Sequence, residues 1–298
     1  MIDLHVHSTA SDGTLSPSEL AEQGRDFSVM ALTDHDNCDG VDEFLDVAEK
    51  LRRASGDIRL AGVELSVEPG DGYERFHLLG LGIDPANGAL TEFLRRVQKW
   101  RDERNARMIS RFTAIGIAIR PQELCAYAKG EVVARPHFAR WLVDHGYAPD
   151  VSEAFGAYLT QSSPPKTNCY VSRYRPDPGE AIDLIHGSGG VAVMAHPRQW
   201  TKDPTMLRSG LARLKARGLD GIEAVYQANG PDETIDHLRA AKELGMCVTA
   251  GSDFHGANKL SIKLGMAVDD EDAFLAPFLA RLGYWRANAA RCRLDGRP

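Results

Sequence analysis

Short apolar runs rich in Val, Ile and Leu recur along the chain at residues 2–6, 29–32, 58–65, 76–83, 191–194, 221–225 and 247–250. Polar or glycine-containing turns bound them, as they bound strands. Between several of these runs, apolar residues repeat with helical spacing over 41–54, 178–186 and 234–244, and Ser16-Pro17 has the form of a helix start, a capping hydroxyl followed by a first-turn proline. This alternation predicts βαβ units around a mainly parallel sheet. The pattern changes near residue 100. Stretches 101–112, 121–128, 135–145 and 151–159 all read as helices with no strand among them, and the turn-forming QSSPPK at 161–166 returns the chain to the α/β pattern. Residues 1–99 and 164–298 are therefore expected to form one framework, and 100–163 a small all-helical insertion.

Composition narrows the classes. The 298 residues carry 35 basic and 42 acidic side chains, a net charge of −7, with 43% hydrophobic residues. Such a chain can bury a sizeable core without disulfides. The acidic excess argues against a long footprint on nucleic acid but leaves room for a locally positive pocket. The five cysteines, Cys38, Cys125, Cys169, Cys247 and Cys292, are scattered and form no CxxC pair. They fit reduced thiols in a cytoplasm. The start MIDLHVHSTASDG lacks a basic-then-apolar leader, and no apolar run approaches the roughly 18 residues of a spanning helix. A cytoplasmic protein without membrane contact or obligate protein partner is expected.

The candidate chemistry sits at the ends of the expected strands, the edge where α/β folds build sites. The first strand ends in His5-Val6-His7, whose alternation puts both imidazoles on one face, and Asp12 follows in a polar loop. The second ends in Thr33-Asp34-His35-Asp36, the third at Glu64, the fourth carries His77, a later one ends in Ala195-His196-Pro197, and the last in Gly251-Ser252-Asp253-Phe254-His255. Singly these are ordinary. His77, within the apolar RFHLLGLG, reads as a strand histidine, and Asp34 and Asp36 as loop or cap residues or as partners orienting His35. Together they offer imidazole and carboxylate donors without thiolate, a set suited to Mn²⁺, Zn²⁺ or Fe²⁺. Nine candidate ligands exceed one ion's needs and suit two or three.

HVHS with Asp12, TDHD, Glu64, His77, AHP and GSDFH resemble, in order, the motifs of the PHP (polymerase and histidinol phosphatase) family, over residues 1–83 and 190–255. The resemblance implies a distorted (β/α)7 barrel with a trinuclear metal centre at its C-terminal mouth. It implies one ion on His5, His7, Glu64 and Asp253, a second on Asp12, His35 and His255, and a third on Glu64, His77 and His196. Divalent ions, Mn²⁺ first among them, would make a positive centre inside an acidic protein, and a metal-bridging hydroxide would attack phosphorus without a protein nucleophile.

Recognition is expected from the insertion. In Arg135-Pro136-His137 the proline opens a helix whose positive end suits an anion. Arg135 is the expected phosphate clamp, His137 a proton donor to the leaving oxygen or a phosphate ligand, and Lys166 and Arg173 are further phosphate contacts. Arg101, Arg104, Arg107 and Arg111 share one side of a helix that could guide a nucleotide or short RNA towards the cluster, but read first as a solvated face, diluted by Asp102 and Glu103. Tyr170, Tyr174 or Trp200 could stack on a base, although a single aromatic near a loop more often serves packing. Stand-alone PHP phosphoesterases with such an RPH insertion imply removal of the 3′-phosphate from nucleoside 3′,5′-bisphosphates, or 5′-to-3′ trimming of short 5′-phosphorylated RNA. A histidinol-phosphate phosphatase and a non-catalytic metal- and phosphate-binding protein are the remaining alternatives. Net acidity favours the small nucleotide over RNA.

Overall fold

The computed structural model describes residues 1–51, 57–68, 70, 75–128 and 133–294, the last ten of these by backbone alone. Strands β1 (Ile2–Asp3), β2 (Val29–Leu32), β3 (Ile58–Val67), β4 (Phe76–Leu81), β5 (Val191–Met194), β6 (Gly221–Tyr226) and β7 (Cys247–Gly251) form one seven-stranded sheet in sequence order. The sheet nearly closes. Beyond β1, Leu4 N donates to Ala250 O at 3.0 Å and Asp253 N to His5 O at 2.9 Å, and Val6 bridges Phe254. The result is a distorted α/β barrel.

Helices α1 (Pro17–Gln23) and α2 (Val41–Leu51) follow β1 and β2, and α3 (Gly88–Ala114), α4 (Pro121–Ala128), α5 (Arg135–Asp144) and α6 (Val151–Ala154) fill the long β4–β5 connection. A π turn, Phe155–Leu159, continues α6. Then come α7 (Pro178–Gly187), α8 (Pro197–Trp200), α9 (Pro204–Ala216), α10 (Pro231–Leu244) and α11 (Glu271–Leu294). Local signals explain the starts. Ser16 and Glu19 form a reciprocal capping box on α1, and Asp177 and Asp203 cap α7 and α9 just before a first-turn proline. The expected extension of α2 to residue 54 lies outside the described residues.

The sheet is mainly parallel, as expected, with β4 the exception, antiparallel to both β3 and β5. One expectation is corrected. The third strand does not stop at Glu64 but continues to Val67, held by β4 through the pairs Ser66↔His77 and Val67↔Phe76. The reversal has a use. It brings the start of β4, and with it His77, to the rim where the parallel strands end.

Helix α3 crosses the expected boundary between residues 99 and 100. Its first half packs Leu90, Phe93, Leu94 and Val97 into the cluster that contains Val63, Leu78 and Ile185. Its second half places Met108 and Phe112 in a separate cluster with Phe138, Trp141, Leu142, Leu159 and Cys169. One rigid helix thus roots the second cluster on the barrel.

Candidate metal centre and arginine cavity

The strand ends converge as a group. His5, His7 and Glu64 offer donor atoms within 4.8 Å of one another, as do His7, Asp12, His35 and His255, and His35, Glu64 and His77. Asp253 Oδ1 lies 3.4 Å from His7 Nε2, and His196 Nε2 lies 2.9 Å from Glu64 Oε1. All nine expected ligands therefore meet at one mouth, with Glu64 at the centre.

The backbone is bent to bring them there. Four described non-glycine residues have positive φ, and three of them, Asp36 (50°), His196 (28°) and Asp253 (58°), belong to this region. Such conformations cost free energy and persist where the surroundings over-determine them, commonly at functional sites. Neighbouring carboxylates orient the imidazoles. Glu223, fully buried, accepts from His5 Nδ1 at 3.0 Å and from the His196 backbone N–H at 2.7 Å. His255 Nδ1 donates to the Asp253 carbonyl at 2.8 Å. In both rings Nδ1 carries the proton, so the Nε2 lone pair is left to coordinate.

The donor set fits divalent cations. His5 Nε2 and His7 Nε2 approach to 3.1 Å, and His35 Nδ1 lies 2.6 Å from Glu64 Oε2 although neither of these last two atoms makes a well-formed hydrogen bond. His7 Nδ1 and Asp12 Oδ1 are likewise buried without hydrogen-bond partners. Atoms that converge without bonding each other are placed as ligands are. Charge agrees. Burial pushes the carboxyls of Glu64 and Asp12 up, but the surrounding histidines, His35 foremost, hold both well below the usual carboxylate range. Burial opposes protonation of His35, yet Glu64 and Asp12 draw its pKa up to about 9. The cluster attracts positive charge, and divalent ions supply it.

Asp12, His35 and His77 also line a cavity of about 220 Å³ whose other walls include Arg75, Arg101, Arg104, Arg135, Arg173 and Arg175. This corrects the solvated-face expectation for α3. Arg101 and Arg104 are each 5% exposed, whereas Arg107 and Arg111 do face solvent. Their spacing continues the buried stripe Leu90, Leu94, Val97 towards Met108 and Phe112. Both arginines therefore occupy positions where the helix would ordinarily bury apolar residues.

The arginines differ in their partners. Asp36 Oδ2 accepts from Arg101 at 2.7 Å and also from Arg173. Burial raises the Asp36 carboxyl, but Arg173 and Arg101 bring it down to about 2. Glu68 accepts from Arg75 at 3.0 Å and from Arg175 at 3.4 Å. Arg135 donates to the Leu159 carbonyl at 3.3 Å and lies over the rings of Phe155 and Tyr170. Arg104 has no counter-charge among the described residues, and its Nε is an unbonded buried donor. Burial, then the guanidiniums of Arg101, Arg173, Arg135 and Arg175, pull its pKa well below the ordinary arginine value.

Other expected contacts are placed differently. Lys166 is exposed and does not line the cavity. His137 is 2% exposed, and its Nδ1 accepts from Ala134 N–H at 3.0 Å, capping α5. Burial lowers its pKa to about 4, which makes it a neutral imidazole near neutrality. Tyr170 is buried behind the cavity wall, its hydroxyl accepting from Arg75 at 2.6 Å and its ring beside Arg135, while Trp200 packs on Phe76 and Tyr174 turns onto Trp100. Phe76 and Phe155 are the phenyl rings that line the cavity, Phe155 beneath Arg135. Sequence reading also missed Glu223, although a carboxylate inside the apolar strand GIEAVY was a visible signal.

Comparison with known proteins decides the family. The PHP domain profile matches residues 3–109. A 3′,5′-nucleoside bisphosphate phosphatase from Chromobacterium violaceum is 35% identical over 271 residues, 90% of this chain and 92% of that protein. The chain belongs to the PHP family. A second relative, a 5′-3′ exoribonuclease from Haemophilus influenzae, is 35% identical over 256 residues, 85% of this chain and 89% of that protein. A Chromobacterium violaceum structure described as an amidohydrolase with bound sulfate superposes with a TM-score of 0.81 at 33% identity, covering 95% of this PHP chain and 96% of its own.

Proposed function

We propose that this PHP protein hydrolyses the 3′-phosphate of nucleoside 3′,5′-bisphosphates, giving from adenosine 3′,5′-bisphosphate (pAp) AMP and inorganic phosphate. It is a phosphoric ester hydrolase. The observation that carries the substrate is the shared wall: the same cavity that exposes Asp12, His35 and His77 is lined by six arginines. A substrate with two phosphates can place one at each end. The Chromobacterium violaceum relative carries the matching activity in its name.

Three ligand groups support the reading: His5, His7, Glu64 and Asp253; Asp12, His35 and His255; and Glu64, His77 and His196. Mn²⁺ is the ion we place there, with Zn²⁺ or Fe²⁺ equally compatible with the mixed nitrogen and oxygen donors. Bound divalent ions activate water and offset charge on the phosphoryl oxygens. The protein's own residues do the rest. Glu223 and the Asp253 carbonyl hold His5 and His255 in the coordinating tautomer. Arg104, Arg135 and Arg173 bind the phosphate that is not hydrolysed, on an insertion spanning 100–163 and the segment that follows it. Ser66 is the one hydroxyl residue lining the cavity among the described residues, and its Oγ is engaged by Arg173 at 3.0 Å, which fits direct attack by water. The four described cysteines are unpaired, in keeping with a cytoplasmic setting.

The exoribonuclease relative supports a second reading, release of mononucleotides from the 5′ end of short RNA. Both reactions cleave a 3′ phosphoester next to a 5′-phosphate. Phosphate release by the Mn²⁺-loaded protein from pAp, beside AMP, histidinol phosphate and a 5′-phosphorylated RNA pentamer, tests the two. Fast release from pAp with an intact pentamer supports the phosphatase. Mononucleotides from the pentamer at a comparable rate move the protein to RNA processing, and turnover of histidinol phosphate alone discards both readings.

A further inference from the structure

Asp36 is the point at which the two halves of the site touch. Its chain neighbour His35 belongs to the metal cluster, and its own N–H donates to the carbonyl of Glu64 at 2.9 Å. Its φ lies in the left-handed region at 50°, and its carboxylate meets Arg101 and Arg173, two residues of the cavity wall. Aspartate tolerates this conformation better than most side chains, though at a cost. Ser66 N–H donates to Oδ1 at 3.1 Å and fixes the carboxylate plane.

An isolated Asp–Arg pair usually places two parallel hydrogen bonds across both oxygens. Here a single oxygen, Oδ2, takes Nη2 of both Arg101 and Arg173, whose side chains are nearly fully buried. Arg101 spends one nitrogen on Asp36 and keeps its others for a ligand, whereas Arg173 also donates from Nη1 to the Tyr174 carbonyl at 3.2 Å and from Nη2 to Ser66, keeping its Nε. One carboxylate also neutralises only one of the two cations, leaving the pair with net positive charge. Arg101 comes from α3 and Arg173 from the segment after the insertion, so Asp36 joins two distant parts of the chain to a residue adjacent to the metal cluster.

We propose that Asp36 is a positioning residue that splays Arg101 and Arg173 and fixes them relative to His35 and Glu64, thereby setting the enzyme's selectivity for substrates that carry a second phosphate. This rests on the proposed two-phosphate reading. Its removal acts on discrimination, because Asp36 reaches the substrate only through the two arginines.

The test is the ratio of kcat/KM for pAp to that for 3′-AMP, which lacks the 5′-phosphate, in the metal-loaded wild type and Asp36→Asn, with metal content measured alongside. The expected result is a fall in the ratio of roughly tenfold or more, the scale of a lost charge-assisted contact, carried by KM for pAp. A ratio within about twofold of wild type, at whatever absolute rate, overturns the proposal, and so does loss of metal from the variant, which would make Asp36 part of the metal centre. Arg101→Lys and Arg173→Lys keep the charge and serve where Asp36→Asn does not fold: each lowers the same ratio, and the proposal falls if neither does. A wild type that does not prefer pAp over 3′-AMP refutes the two-phosphate reading instead, and 5′-phosphorylated against 5′-hydroxyl pentamers then supply the ratio for Asp36.

Discussion

Glu223 grips His5 from behind: its Oε1 lies 3.0 Å from His5 Nδ1, and both side chains are fully buried. The carboxylate fixes the tautomer that turns Nε2 towards His7, Glu64 and Asp253, and its other oxygen anchors the His196 backbone at 2.7 Å. Glu223→Gln keeps the shape but removes the charge that makes His5 a strong donor. Metal affinity is expected to fall about 10- to 100-fold, the range for partners that orient a ligand. Chelator competition on the purified variant measures it, and wild-type affinity would remove Glu223 from the account.

The same contact makes Gly251 unreplaceable. A Cβ built there would overlap Glu223 Oε1 and His5 Cβ. Gly251→Ala should therefore displace the His5–Glu223 pair, although no long side chain is added. We expect lost metal content together with a stability loss of about 1–3 kcal/mol from overpacking. Metal analysis and urea unfolding read the two effects, and a variant that retains wild-type metal content contradicts the steric argument.

Arg104 presents the opposite balance. It is buried beside four other guanidiniums without a counter-charge among the described residues, so the folded protein carries its charge at a cost. Arg104→Met fills a similar volume without the charge. The variant should be more stable by about 1 kcal/mol or more and should bind pAp at least tenfold more weakly, a trade-off of the kind common where function needs a strained site. Thermal melts and KM report the two changes. A less stable variant with an unaltered KM would mean that Arg104 is held by a partner and is not an anion site.

The metal ligands were legible because strand alternation and strand ends are sequence features: His5 and His7 at i and i+2, and Asp253 and His255 likewise, need no tertiary information. The arginine cavity was not. Whether Arg101 and Arg104 face water depends on which stripe of α3 the barrel covers, and the exposed Asp102 and Glu103 between them disguised a register that Leu90, Leu94, Val97 and Met108 define. The direction of β4 was equally hidden, since a short apolar run reads the same in a parallel or antiparallel neighbour. His137 carries a third kind of ambiguity. Its place after Arg135-Pro136 suggested chemistry, but three residues beyond Ala134 is also a capping position, and only the fold shows the imidazole turned back on its own helix.

That cap yields a pH prediction. Burial holds His137 at about 4 in the folded protein, against about 6.5 for an unfolded histidine. Between these values the unfolded chain binds the extra proton and the folded one does not, so stability rises with pH there. The contribution is complete above about pH 6.5 and is lost as pH falls towards 4, in total about 3 kcal/mol. His137→Gln retains a hydrogen-bond acceptor for Ala134 N–H and does not titrate. Its unfolding free energy should fall less than that of wild type between pH 7 and pH 4.5, and its turnover at pH 7 should stay within about threefold, since the residue caps a helix as a neutral imidazole. Urea melts at the two pH values, each with and without chelator to separate metal release, measure the first quantity. Parallel slopes for the two proteins would show that His137 titrates normally, and a kcat loss of about 100-fold in His137→Gln would return it to the chemistry.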